Sequence, residues 1–295
     1  MSQAKIVDTF SECFKMRYSR ILITAADLEL ALIAANNTVG FATSIIMCSA
    51  EAGIEKILKP SETPDGRDGV IIQIWTKSSS KLKEELLARL SQSALTAPTT
   101  SIFNMLNDGD KSEPIGKLIS YFGDGHQKKV SQFGKTMWDI PVMDGSFLIE
   151  ETFQMGKGVA GGVLILIGNS EIETLNATRD GIKALQKSQV KAITAFPGGI
   201  CRAGSKIGSK YSFLNESTNH KFCPSLKESI KDSNLPAEAK CAYEIVINAI
   251  NIDELKKAMG SIITALKEDP RITKITSSNY EGKLGSININ LKDLL

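Results

Sequence analysis

Histidine is almost missing from this chain. His126 and His220 are the only two among 295 residues. That excludes a histidine-rich metal centre and argues against a triad built on histidine. Cysteine is sparse, with single residues at 13, 48, 201, 223 and 241 and no Cys-x-x-Cys pair. The pattern points to a reduced, cytoplasmic setting without a disulfide framework. His220 and Cys223 supply half of a zinc site at most and read instead as a loop histidine near an ordinary thiol, so no metal site is expected. Aromatic residues make up only 6%, which counts against a base-stacking surface. Charge of one sign is lacking too: Lys+Arg 35 against Asp+Glu 33 leaves +2, with a pI near 8.2. Such a balance does not suit a protein that neutralises a nucleic-acid backbone. The most apolar stretch, residues 163–167, is far too short to span a bilayer. Residues 1–14 carry Lys5, Asp8 and Glu12 and lack the layout of a signal peptide.

What is present is an ordinary supply of core material, 42% hydrophobic with 23% charged, enough to bury a full core without disulfides or metal. The length predicts about two domains, and the chain reads twice. Asp8-Thr9-Phe10 opens one half and Glu151-Thr152-Phe153 the other. An apolar run follows each, Ile21-Leu22-Ile23-Thr24 and Val163-Leu164-Ile165-Leu166, both read as buried strands. A helix is expected next, near residues 28–35 and again where Ile172, Leu175, Ile182 and Leu185 keep helical spacing. Second strands are expected at 44–48 and 192–196, and third strands at 69–75 and 242–248. Amphipathic helices then carry Leu82, Leu86, Leu87 and Leu90, or Leu255, Met259, Ile262, Ile263 and Leu266. Ser79 and either Asn251 or Asp253 are the expected caps. The tripeptide Gly-Lys-Leu recurs at 116–118 and 282–284 before a closing strand expected in each half, at 119–122 and at 286–289. The order strand, helix, strand, strand, helix, strand, taken twice, predicts an α+β fold of two pseudo-repeated ferredoxin-like lobes with mostly antiparallel sheets. The lobes are expected over 1–145 and 146–295, divided at the turn Met143-Asp144-Gly145-Ser146.

Several motifs fall short of their chemistry. Residues 199–206 end Ser-Lys where a phosphate loop needs Gly-Lys-Ser/Thr, and Gly134-Lys135-Thr136 lacks the upstream glycine. Val159-Ala-Gly-Gly162 precedes a strand, so it is not a dinucleotide fingerprint. No Gly-x-Ser-x-Gly elbow occurs. Residues 198–210 are more suggestive. Gly198, Gly199, Gly204 and Gly208 allow close backbone approach, and Ser205, Ser209, Lys206 and Lys210 add donors and positive charge suited to a carboxylate or phosphate. A flexible connector with solvated lysines is the alternative. Glu244 interrupts the otherwise apolar strand Tyr243-Glu-Ile-Val-Ile-Asn248, where the first half carries Ile71. Buried there, its pKa would rise and the carboxyl would stay neutral and able to donate a proton. On an open face it would simply meet water.

Ordered stretches along the whole chain form a set. They are Arg20-Ile-Leu-Ile-Thr-Ala-Ala26, Ile46-Met-Cys-Ser-Ala-Glu-Ala-Gly-Ile54, Glu62-Thr-Pro-Asp-Gly-Arg67, Phe122-Gly-Asp-Gly125 and Gly158-Val-Ala-Gly-Gly162. Further along come Phe196-Pro-Gly-Gly-Ile200, Ser205-Lys-Ile-Gly-Ser-Lys210, Ser217-Thr-Asn219, Tyr243-Glu-Ile-Val-Ile-Asn248 and Gly282-Lys-Leu-Gly285. Taken together they resemble the formylmethanofuran:tetrahydromethanopterin formyltransferase family. The resemblance implies two ferredoxin-like lobes in a homotetramer, a dimer of dimers. It also implies reversible formyl transfer from formylmethanofuran to the 5-nitrogen of tetrahydromethanopterin, without a covalent enzyme intermediate. Both carriers act as substrates, and no tightly bound cofactor is implied. The family's proposed catalytic glutamate falls on Glu244. Both substrates are long and anionic, so residues 198–210 become a candidate anchor, and Phe122 with Asp124 a candidate pterin contact or pocket wall. A strand-end aromatic in the core is the alternative for Phe122.

The chain departs from strongly acidic members of that family in its balanced charge, so a dependence on molar salt is not implied. A non-catalytic ligand-binding or scaffold subunit of a one-carbon complex is the competing reading. The same enzyme embedded in a formyltransferase/hydrolase complex is another. An intact glycine segment and the presence of Glu244 favour the enzyme.

Overall fold

The computed structural model describes residues 4–295. The architecture is mixed, mostly sheet with helices packed on it. The chain divides into two compact units: Met16–Gly158, and the chain up to Lys15 together with Val159–Leu295. Both crossings fall inside strands, Phe10–Thr24 and Phe153–Gly168. The turn at 143–146, expected to divide the lobes, joins Lys135–Val142 to Gly145–Glu150 as an antiparallel hairpin within the first of these units.

In the Met16–Gly158 unit, residues 16–24 form a central strand. It pairs antiparallel with Gly69–Thr76 on one side and Ser101–Asn104 on the other. Glu51–Leu58 pairs with Gly69–Thr76. Beyond Ser101–Asn104 lie Gly145–Glu150, Lys135–Val142 and Lys128–Gln132 in turn. Helix α1, Leu28–Val39, starts where the Asp27 carboxylate accepts from the Leu30 N–H at 2.9 Å. Helix α2, Ser79–Arg89, is capped by Ser78, one residue before the expected cap. Strand side chains alternate between faces. Ile21, Ile23, Val70, Ile72 and Ile74 therefore pack with Ala31, Ala34, Leu82 and Leu86 of the helices. Leu22, Ile71 and Phe103 gather on the opposite face with Leu58 and Met137.

Two expected strands of this unit are corrected. Residues 44–48 form a turn in which the Ser44 carbonyl accepts from the Cys48 N–H at 2.7 Å, and the strand begins at Glu51. Residues 119–122 are not the closing strand. Helix α3, Ile115–Ser120, and the turn Tyr121–Gly123 stand there, and Ser101–Asn104 closes the sheet instead. Gly116 is required by packing, since a Cβ there would lie 2.0 Å from the Glu150 carbonyl oxygen. The shared Gly-Lys-Leu tripeptide therefore marks different local structures in its two copies.

In the other unit, residues 159–168 pair antiparallel with Cys241–Ala249 and with Lys274–Thr276. Ala192–Thr194 adds to the outside of Cys241–Ala249, and Lys5–Ile6 lies parallel to Lys274–Thr276. The sheet thus closes with Lys274–Thr276. Ile287–Asn290, near the strand expected there, pairs with residues 10–13. Helix α4, Glu171–Lys187, is capped by Ser170, and helix α5, Ile252–Leu266, by Asn251, whose side chain accepts from the Glu254 N–H at 2.8 Å. Leu164, Leu166, Ile245 and Ile247 face Leu255, Met259, Ile262 and Leu266. Ile165 and Ile167 face the other way with Leu235 and Ala239. Among the described residues no helix is long and apolar enough to cross a membrane.

Glu12 ties the start of the strand Phe10–Thr24 to the loop at 280–285. It is only 2% exposed. Its carboxylate accepts from the backbone N–H groups of Tyr280 at 2.7 Å, Gly282 at 3.0 Å and Leu284 at 2.5 Å, and from that of Gly285. Burial opposes ionisation, but these four donors outweigh it and hold the carboxyl below its usual range. We expect Glu12→Gln to lose about 1–3 kcal/mol at pH 7, the usual range for an orphaned buried polar group. The unfolded carboxyl titrates near about 4.3, so the ionised carboxylate's contribution is complete above that value and fades as pH falls through the depressed folded value. Urea unfolding at pH 7 and pH 3.5 should therefore show the gap between the two proteins closing at the lower pH.

Candidate functional site

Glu244 sits in the middle of Cys241–Ala249, opposite Ile165 of the neighbouring strand. Its parity turns the side chain away from α4 and α5, because Ile245 and Ile247 occupy the helix face. On its other side the backbone pairs with Cys201. The Cys201 N–H donates to the Glu244 carbonyl at 2.8 Å, and the Glu244 N–H donates to the Cys201 carbonyl at 2.9 Å. The Glu244 side chain keeps partial contact with solvent, yet its carboxyl is crowded by protein. Desolvation pushes its pKa up to about 7, partly offset by the hydrogen bond from the Cys201 thiol. Burial raises the thiol in turn, so it stays a neutral donor. The Tyr280 hydroxyl is raised by burial first and then by the negative charge of Glu244, which places it within electrostatic reach.

A cavity of about 190 Å³ opens on this group, with Cys201, Asn219, Phe222, Tyr243 and Glu244 in its wall. Asn219 is buried, and its amide nitrogen donates to the Ser278 hydroxyl at 3.4 Å. A larger cavity of about 720 Å³ adjoins it and shares Cys201, Arg202 and Tyr243. An acid that is half-protonated near neutrality, set beside a neutral thiol, can hydrogen-bond a developing oxyanion and then give up a proton. Among the described residues no group of three or more His, Cys, Asp or Glu side chains is placed to hold a metal ion.

The remaining sequence candidates separate. Gly198 borders the larger cavity with φ +62° and open space where a Cβ would be. Gly199, φ +79°, is needed for packing, because a Cβ would lie 2.8 Å from both Ile182 and Thr194. Ser205 and Lys206 lie in the short strand Ser205–Ile207, paired with Glu216–Thr218. The Ser209 hydroxyl accepts from the Tyr211 N–H at 3.0 Å, and Lys210 is exposed. None of these four borders either cavity. Phe122, 67% exposed, and Asp124, at φ +50°, occupy the turn after α3 and belong to the Met16–Gly158 unit, whereas Glu244 belongs to the other. Nothing local to Cys201, Arg202 or Tyr280 singles them out. Cys201 and Arg202 follow the Phe-Pro-Gly-Gly stretch directly, and Tyr280 precedes Gly282 by two positions. Their neighbourhood to quoted motifs is the one signal that could have found them.

A model described as formylmethanofuran-tetrahydromethanopterin formyltransferase matches residues 1–142, and one described as FTR, proximal lobe, matches residues 145–294. The chain belongs to this formyltransferase family. The formyltransferase of Methanococcoides burtonii is 45% identical over 295 residues, covering 100% of this chain and 99% of that one. A solved formyltransferase from Methanosarcina barkeri superposes with a TM-score of 0.96 at 42% identity, covering 99% of this chain and 98% of that one. A chain of the formyltransferase/hydrolase complex from Methylorubrum extorquens, solved with methylofuran, gives 0.93 at 37% identity, covering 100% and 99%. Among these formyltransferases the likeness runs the full length of the chain and includes the strand that carries Glu244.

A raised carboxyl group carries a stability consequence. The folded protein holds the Glu244 proton up to about pH 7, whereas the unfolded chain releases it near about 4.3. Between those values the folded state binds more protons, so stability from this group falls as pH rises through the window. Glu244→Gln should therefore be more stable than the parent by about 1–3 kcal/mol at pH 8, with the difference vanishing below pH 4. Thermal or urea unfolding across that range measures it.

Proposed function

We propose that this chain transfers a formyl group between formylmethanofuran and the 5-nitrogen of tetrahydromethanopterin, with Glu244 as general acid. The observation that carries the reading is the Glu244 carboxyl, raised to about 7 and opening on a cavity, in a chain that matches the family from end to end. The donor is an amide, a poor electrophile, and the attacking amine is already neutral near pH 7. The site must therefore align the two molecules, stabilise a tetrahedral oxyanion and supply a proton to the departing nitrogen. The nitrogen lone pair of the pterin adds to the formyl carbon. Protonated Glu244 donates a hydrogen bond to the oxyanion. On collapse the C–N bond to the methanofuran amine breaks, that nitrogen takes the Glu244 proton, and the carboxylate is reprotonated with the proton lost from the pterin nitrogen. The transfer is reversible and forms no covalent enzyme intermediate. Both carriers enter and leave as substrates, and the chain holds no cofactor of its own.

Residues 198–210 and the Phe122–Asp124 turn extend the substrate surface in this reading. The open position of Gly198 supports the first, and the exposed ring of Phe122 supports the second. Each unit is built on the ferredoxin-like plan. The strand order 51–58, 69–76, 16–24, 101–104 and the order 192–194, 241–249, 159–168, 274–276 support that assignment. The lobes of the sequence are then 1–145 and 146–295, close to the spans of the two family models. The chain works in the cytoplasm as a homotetramer, a dimer of dimers. A second reading places it as a subunit of a larger one-carbon complex, catalytic or serving as a scaffold. Its likeness to a chain of the formyltransferase/hydrolase complex supports that placement.

Incubating the purified protein with formylmethanofuran and tetrahydromethanopterin should yield the formylated pterin. Glu244→Gln keeps the shape but has no acidic proton, and its turnover should fall about 10²–10³-fold. Near-normal turnover by that variant would remove the acid role, and no product from the parent protein would leave the scaffold reading. Gel filtration of the same sample tests the tetramer.

A further inference from the structure

The chain has seven arginines, and five of them hold a carboxylate. Arg17 pairs with Asp110, Arg20 with Glu55, Arg67 with Asp65, Arg89 with Glu85, and Arg271 with Asp180 and Asp269. Arg179 and Arg202 have no ion-pair partner among the described residues, and both border the same cavity, the one of about 720 Å³. Lys240 borders it as well, also without a carboxylate partner among those residues, against a single acidic side chain, Glu171. Arg179 arrives from α4, Arg202 from the segment that pairs with the Glu244 strand, and Lys240 from the residue before that strand. Three separate pieces of chain thus bring positive charge to one concavity. Elsewhere in this molecule the guanidinium groups find carboxylates within the protein, so two without one at a single cavity leave room for an anion from outside.

This cavity adjoins the one at Glu244 across the sheet edge, where Cys201, Arg202 and Tyr243 border both. Tyr243 feels both guanidinium groups: burial, Cys241 and Glu171 raise its hydroxyl, and Arg202 and Arg179 pull it back down. We propose that the cavity bounded by Arg179, Arg202 and Lys240 is an anion subsite, which seats a carboxylate or phosphate group in the non-reacting part of a substrate whose formyl group lies at Glu244. The proposal deepens the formyl-transfer reading and rests on it for what sits at Glu244. It moves the anion anchor from Lys206 and Lys210 to the cavity wall. Two planar guanidinium groups suit either anion through paired hydrogen bonds, and binding energy from a remote group helps hold the reacting centre in place.

The test uses the full-length protein and the double variant Arg179→Ala/Arg202→Ala. Calorimetric titration with γ-glutamylglutamate and, separately, with inorganic phosphate gives a readout that does not depend on turnover. We expect one of the two to bind the parent protein, to weaken with added salt, and to lose at least tenfold in affinity in the variant. Binding of the dipeptide assigns a carboxylate tail, and binding of phosphate assigns a phosphate group. Binding of neither, or binding that the variant retains, overturns the subsite. In the transfer assay the variant's kcat/KM for one intact substrate should drop ten- to a hundredfold. That penalty should shrink for the same substrate shortened to remove its anionic groups. An equal penalty for intact and shortened forms overturns the proposal too. If the parent protein transfers no formyl group yet binds the dipeptide or phosphate through these arginines, the formyl-transfer reading falls and the anion subsite stands.

Discussion

A carboxyl group taken out of water costs several kcal/mol unless donors or an opposite charge offset the loss, and the unit that joins the chain up to Lys15 with Val159–Leu295 answers that constraint in two opposite ways. Glu12 is surrounded by four peptide N–H groups and stays ionised. Glu244 receives one thiol and keeps its proton to about pH 7. The two residues carry the same side chain, and the difference lies in how many donors the backbone turns toward each. The first arrangement fixes geometry, and the second stores a proton. They are connected through the loop at 280–285. Glu12 holds that loop in place, and the loop carries Tyr280 into the field of Glu244. The charge that stays and the charge that is withheld therefore belong to one arrangement.

The cavities follow from the same strand. Cys241–Ala249 lies between residues 159–168 on one side and Ala192–Thr194 with Cys201 on the other. Its alternation sends Ile245 and Ile247 into the helix-covered core and Glu244 to the opposite face. The break between Thr194 and Cys201, filled by the turn Pro197–Gly199, opens the larger cavity beside the reacting group. Gly199 permits that turn to pack tightly under α4, and Gly198 leaves its surface bare.

Much of this plan was legible in the sequence, for a physical reason. Buried strands such as Gly69–Thr76 and most of the 159–168 segment are dense in β-branched residues, and the helices carry apolar stripes with capping side chains at their starts. Those signals are local. The departures lie where a tight turn or a distant contact decided the outcome. Residues 44–48 look like a strand in isolation but close on themselves through Ser44. The Gly-Lys-Leu at 116–118 lies in a helix because Gly116 must pass the Glu150 carbonyl. Glu244 stood out because a carboxyl group in an apolar run breaks a local rule. Cys201, Arg179, Arg202 and Tyr280 break none, and only the fold brings them to the same place from positions up to about a hundred residues apart.

The pairing of Ile287–Asn290 with residues 10–13 also bears on how the chain is made. The Met16–Gly158 unit has all its residues once Gly158 has emerged from the ribosome. The unit that holds Glu244 needs its strand at 10–13 to wait for the one at 287–290, across more than two hundred and seventy residues, and the closure of so long a loop is slow. During synthesis the early strand edge at 10–13 stays unpaired after its neighbours have folded, and it is an exposed edge of that kind that invites mispairing. The buried Glu12 within it works against such errors, because a carboxylate inside that edge is tolerated only by the loop that supplies its four N–H groups.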